Sequence, residues 1–178
     1  MKAATLLLGL MMSYTHIAQA TPIDSKVLEE AKDFLKKHLQ YYNTGNMELA
    51  KLYSNDAEIA LTITKQNNHT INTVMRGQAW IQRLREAWGS GRATNEALEL
   101  HNVTINSNSN STNLDITAQR YSKTRCYWDN NYKLSITKNG FPDYRIIKET
   151  ALINQNNLCP QPSLEEFLIN QNIQVAPR

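Results

Sequence analysis

The chain has 178 residues, with 19 Lys and Arg against 16 Asp and Glu, a formal net charge of +3. That near balance excludes a dominant nucleic-acid or anionic-membrane footprint, and the length is that of one ordinary domain able to bury a real core. Its two cysteines, Cys126 and Cys159, have no His or Cys neighbours at metal-ligand spacing, so neither a metal site nor a cofactor is expected.

Residues 1–20 read as a secretory signal peptide. Lys2 gives a positive start, Leu6 to Met12 is a short apolar run, and Ala18-Gln19-Ala20 is a small-x-small cleavage site before Thr21-Pro22. The run is far shorter than the roughly 20 apolar residues a membrane span needs, and no Cys follows it to carry a lipid. The expectation is export, periplasmic or secreted, with a single domain over 21–158 and a tail over 159–178. In an exported chain an even cysteine pair reads as a disulfide, Cys126–Cys159, rather than as two reduced thiols. The chain has no Cys-x-x-Cys, which argues against a redox role.

Asp24-Ser25 opens a helix. Val27, Leu28, Ala31, Phe34, Leu35, His38, Leu39 and Tyr42 then recur at helical spacing, with charged residues on the other face. Asn43-Thr44-Gly45-Asn46 stops it. A shorter helix is expected from Met47 to Tyr53, then a strand over Ala57–Thr64, a turn at Gln66–His69, and a returning strand over Thr70–Met75. Gly77 opens a third helix whose stripe is Trp80, Ile81, Leu84, Ala87 and Trp88, and Gly89-Ser90-Gly91 ends it.

The rest is strand until the tail. In Ala97–Ile105, Leu98 and Leu100 lie on one parity and Val103 and Ile105 on the other, which predicts a bulge near His101-Asn102. Further strands run to about Tyr121, over Tyr127–Thr137, and over Tyr144–Ile153, with a turn at Asn139-Gly140. Ser163-x-x-Glu166 has the form of a capping box for a short final helix carrying Leu164, Phe167 and Leu168. Short connections between successive strands give a mostly antiparallel sheet, and helices ahead of it give an α+β domain.

Three stretches resemble the nuclear transport factor 2-like superfamily, which includes ketosteroid isomerases and SnoaL-like proteins. These are Tyr41–Glu48, Leu52-Tyr53-Ser54-Asn55-Asp56-Ala57-Glu58-Ile59, and the strand set Gln119–Tyr121, Tyr132–Ile136 and Tyr144–Glu149, the last as in exported bacterial members. The resemblance spans about residues 25–153. It implies a cystatin-like cone, a curved sheet closed by three helices of the N-terminal half, and it implies a homodimer paired through the sheet. It also marks a departure. The isomerase base falls on or beside Leu61, which moves no proton, and the position of the isomerase tyrosine donor falls near His38.

The pocket residues expected from this reading are His38, Tyr42, Tyr53, Trp80, Trp88, Arg120 and Arg145. His38 lies on an apolar stripe, either as a pocket acid or donor or as a core-edge histidine bonded to a backbone carbonyl. Trp80 and Trp88 form an aromatic wall or plain core packing. Arg120 and Arg145 share parity with inward apolar residues. They read as clamps for an anionic ligand, or as salt-bridge partners of Glu58, Asp115 or Glu149. Asn68, Asn102 and Asn110 start Asn-x-Thr patterns that arise easily by chance in an Asn-rich chain. The expected function is a non-enzymatic binding or assembly module that takes a small apolar or anionic ligand in its cone or a partner on its sheet. The alternative is a SnoaL-like isomerase or hydrolase with His38 as its main acid–base group.

Overall fold

The computed structural model describes residues 23–89, 97–107, 112–138 and 144–160. The expected signal peptide, the Asn139-Gly140 turn and the final helix with Leu164, Phe167 and Leu168 lie outside them. The first helix, α1, runs Ser25–Thr44. The Asp24 carboxylate accepts from the Lys26 N–H at 2.8 Å, satisfying one of the orphan donors at the helix start. Gly45 closes it in the left-handed region (φ 62°), and the N–H groups of Gly45 and Asn46 reach back to the carbonyls of Tyr42 and Tyr41. Ala31, Phe34, Leu35 and His38 are its buried face. Asn46 then caps a single 3₁₀ helix, Met47–Leu52, where an α-helix was expected. Six residues are too few to repay α-helix nucleation, and the tighter turn suits a short connector.

Six strands follow: β1 Tyr53–Thr64, β2 Thr70–Arg76, β3 Leu98–Ser107, β4 Asn113–Ser122, β5 Tyr127–Lys138 and β6 Tyr144–Asn154, with α2 (Gly77–Gly89) between β2 and β3. They form one sheet in the order β2-β1-β6-β5-β4-β3. Four of the neighbouring pairs are antiparallel, and β1 beside β6 is parallel. The last four strands make a meander that returns the chain to the first. One face of the sheet carries Ile59, Leu114, Ile116, Leu134, Ile136 and Ile146, all fully buried. Each contributes about 1.5–3 kcal/mol by leaving water. The helices close over this face, and Asn43 locks the end of α1 to β3, donating to the Leu98 carbonyl and accepting from its N–H.

Bulges decide which side chains turn inward. The one predicted in β3 is present between His101 and Thr104, with Asn102 at φ 51°. Two more in the meander were not predicted, nor were the three extra residues that β1 carries against β6 between Tyr53 and Glu58. In β5 an extra residue at Asn130-Asn131 shifts the register between Tyr132 and Asp129, and the Asn131 N–H donates to Asp129 at 3.1 Å. In β6 an extra residue at Ile147 shifts it between Ile146 and Lys148. Both Asp129 and Glu149 thereby face the interior.

Gly77 starts α2 where it must pass β1 closely. A Cβ there would sit 1.9 Å from the Ser54 carbonyl oxygen, whereas at Gly89 it would meet nothing within 4 Å. Gly77→Ala is expected to cost about 1–3 kcal/mol in urea denaturation, as overpacking does. Gly89→Ala, the control, leaves the midpoint unchanged.

Cys126, in the β4–β5 turn, is bonded to Cys159 just past β6, with the Cα atoms 4.8 Å apart. The expected bridge is therefore formed.

Candidate functional site

His38 lies inward because it continues the apolar stripe of α1, and its Nε2 is 3.4 Å from the Tyr53 hydroxyl. Tyr53, the first residue of β1, donates to Glu149 Oε2 at 2.6 Å. Tyr132 of β5 donates to the other carboxylate oxygen, Oε1, at 3.1 Å. Glu149 is thus held by a phenol on each oxygen. A second cluster adjoins it. Arg120 of β4 donates to the Leu152 carbonyl at 2.5 Å and lies 3.4 Å from Asp129 Oδ2. That same oxygen accepts the Leu152 N–H at 2.7 Å. The Arg120 guanidinium stands 5.0 Å over the Tyr132 ring, which joins the two clusters.

All these groups are buried, and burial sets their titration. Burial lowers the His38 pKa below its ordinary value; the Glu149 charge works the other way, and Arg120 adds to the lowering. Burial, with Glu149 next in weight, pushes the phenols of Tyr53 and Tyr132 well above theirs, so both stay protonated donors. Burial works against the charge of Arg120, but the facing oxygens of Tyr42, Tyr132, Tyr127 and Glu149 more than offset it, and its pKa is raised. Among the described residues, His38 Nδ1, Arg120 Nε and Ser122 Oγ are buried without a hydrogen-bond partner.

The lowered His38 pKa has a measurable sign. An unfolded chain's imidazole binds a proton below about pH 6.5, and the folded chain refuses it until lower pH. Stability is therefore full above that pH and falls as the solution is acidified toward the native value. Thermal melts between pH 7.5 and pH 5 are expected to show this fall, and His38→Asn to remove its share of the slope.

Of the residues singled out by sequence, His38, Tyr53 and Arg120 meet in the interior. Trp80 stacks edge-on against Tyr53, with ring centroids 6.4 Å apart, and Trp88 against Tyr42 at 6.1 Å. Arg145 is not among them. It stands half-buried at the rim and donates to the Lys51 carbonyl. Three surface clefts, of about 390, 620 and 330 Å³, meet at it. Leu61, on or beside which the resemblance puts the isomerase base, is a buried core leucine.

The partner of Arg120 is Asp129, not Glu58, Asp115 or Glu149. Glu58 pairs with Lys148 at 2.8 Å, Asp115 accepts from Ser135 at 2.6 Å, and Glu149 takes the two phenols. Sequence reasoning missed Tyr132 and Asp129 as interior groups. The polar run Asp129-Asn130-Asn131 inside an otherwise alternating strand was the available sign of the bulge. Among the described residues, no group of three His, Cys, Asp or Glu is placed to hold a metal ion, and no helix is long and apolar enough to cross a membrane.

No family model and no curated protein sequence matches the chain. Solved structures do match it. A nuclear transport factor 2-like protein of unknown function from Pseudomonas putida superposes with a TM-score of 0.56 at 9% identity, over 82% of this chain and 94% of its own. A protein of unknown function with a cystatin-like fold from Nostoc punctiforme gives 0.51 at 11% identity, over 81% and 98%. A further nuclear transport factor 2-like protein of unknown function, from Shewanella oneidensis, gives 0.51 at 11% identity, over 71% and 98%. Identities this low speak to architecture alone. The helices, the strand order and these superpositions agree: the chain has the nuclear transport factor 2-like fold.

Proposed function

We propose that this protein is an exported, non-enzymatic binding module that takes its ligand in the clefts around Arg145, while the interior network holds the cone in shape. The observation that carries this reading is the contrast between the two sets of polar groups. His38, Tyr53, Tyr132 and Glu149 are buried and bonded to one another. Arg145 opens onto three clefts at once. Export is supported by the leader-like first twenty residues and by a disulfide of the kind that persists in oxidising compartments. A homodimer through the open face of the sheet belongs to the same reading, and light scattering on the purified protein checks it.

A screen of small organic carboxylates by thermal shift tests the site. Hits are expected to be lost in Arg145→Ala and kept in His38→Asn. Hits that follow His38 instead would sink this assignment.

One observation favours a second reading, acid–base catalysis on a small apolar substrate. His38 Nδ1 and Arg120 Nε, unpartnered in the interior, are groups that a bound substrate or water would satisfy. Under that reading the ligands found by the screen enter the cone and are lost in His38→Asn.

A further inference from the structure

We propose that the 620 Å³ cleft between the 3₁₀ helix and α2 binds a small organic anion carrying more than one negative charge, through phosphate or carboxylate groups. The proposal rests on the binding-module reading and names its ligand class. The cleft is lined by four cations, Lys51, Arg76, Arg85 and Arg145, with Gln78 and Gln82, and no carboxylate lines it. The cations come from the 3₁₀ helix, the end of β2, α2 and β6, so the fold and not a local charge run gathers them. Gln78, Gln82 and Arg85 follow one another at spacings of four and three along α2, which puts them on one face of the helix.

Like charges brought together destabilise the fold unless something opposite sits among them. The neighbouring carboxylates neutralise Lys51 alone and leave the three arginines. Glu58, close enough to Arg76 to feel its charge, is paired with Lys148 at 2.8 Å. Glu86 accepts from Gln82 at 3.0 Å, and Glu48 holds Lys51 at 2.6 Å. Among the described residues, Arg76, Arg85 and Arg145 have no ion-pair partner. Arg145 is fixed in place by its bond to the Lys51 carbonyl, which leaves most of its five N–H donors free. Planar guanidinium groups match phosphate and carboxylate oxygens two at a time.

The adjoining 390 Å³ cleft makes the contrast. Glu30, Asp33 and Glu48 line it along with Lys37, Lys51 and Arg145, so it offers an anion no net attraction. The size of the basic cleft suits an organic molecule rather than a bare ion. Its floor includes Ala50, Ala79 and the buried Ile81, which give such a molecule an apolar surface to rest on.

Isothermal titration at fixed ionic strength tests the proposal with inorganic pyrophosphate and citrate as probes. Saturable binding of at least one probe is expected. Its dissociation constant should rise about tenfold or more in Arg85→Gln and in Arg76→Gln, as loss of a charge-assisted bond requires. Both residues are exposed, and unchanged circular dichroism confirms that the variants fold. Lys133→Gln, an exposed cation elsewhere on the sheet, should leave binding unchanged. Pyrophosphate alone, or citrate alone, supports the proposal and identifies the anionic group. The proposal falls if neither probe saturates, if Arg85→Gln has no effect, if Lys133→Gln weakens binding equally, or if only an acidic protein binds. A ligand from the carboxylate screen that still depends on Arg145 while both probes fail overturns this inference and leaves the binding-module reading standing.

Discussion

Asp129→Ala is expected to lower the melting temperature by about 10 °C or more. Arg120 and Asp129 are both nearly sealed from water, 5% and 2% exposed. Removing the carboxylate strands a buried guanidinium, which costs about 3–5 kcal/mol. It also takes the acceptor from the Leu152 and Asn131 N–H groups. A domain of this size loses about 2–4 °C per kcal/mol. Asp129→Asn keeps an acceptor oxygen but loses the charge, and should fall between wild type and Asp129→Ala. The double variant Arg120→Met, Asp129→Leu removes both charges and should recover the part of the loss that the stranded guanidinium causes, but not the part from the Leu152 and Asn131 N–H groups. A double variant as unstable as Asp129→Ala would show that the cost came from the lost acceptor or from repacking and not from an orphaned charge.

Replacing both cysteines by serine is expected to remove about 3–4 kcal/mol of stability in urea denaturation, on the chain-entropy account of a bridge with a sequence separation of 33. The native contacts around the bridge change little. The effect arises because the unfolded chain regains freedom, since the β4–β5 turn and the segment after β6 are no longer tied. Wild type denatured in excess reductant should give the same midpoint as the double serine variant. A loss below about 1 kcal/mol would mean that the unfolded chain is already constrained there without the bond.

The sequence carried the architecture through periodicity. The stripe of α1 and the alternation of β4 place their buried residues where the structure has them, and the stripe of α2 does so at Ile81 and Leu84, while Ala87, read into that stripe, is exposed. The β3 bulge was legible because apolar residues sit on both sides of the slip, Leu98 and Leu100 before it, Val103 and Ile105 after. The β5 bulge had only the polar run Asp129-Asn130-Asn131 as its sign. The slip there turns an aspartate inward, and an acid facing the core reads from sequence as an outward residue. That one missed parity hid the partner of Arg120. The Glu149 cluster was hidden for a related reason. Tyr53, Tyr132 and His38 lie far apart along the chain, and only the pairing of β1 with β6, and of β6 with β5, brings them to one carboxylate. Arg145 was read as sharing parity with inward residues, but parity alone could not tell interior from rim, because the extra residue at Ile147 lies just beyond it.

The parallel seam between β1 and β6 has a consequence in time. Tyr53 finds its carboxylate on Glu149, and Phe34 stacks against Tyr144, so the first third of the chain is completed by nearly the last strand made. Until Tyr144–Asn154 emerges, the β1–β2 hairpin keeps one open edge and α1 lacks part of the surface it covers. Such distant pairings close late and slowly. A polypeptide with that order of assembly acquires its final shape only once Tyr144–Asn154 is available to pair with the first strand.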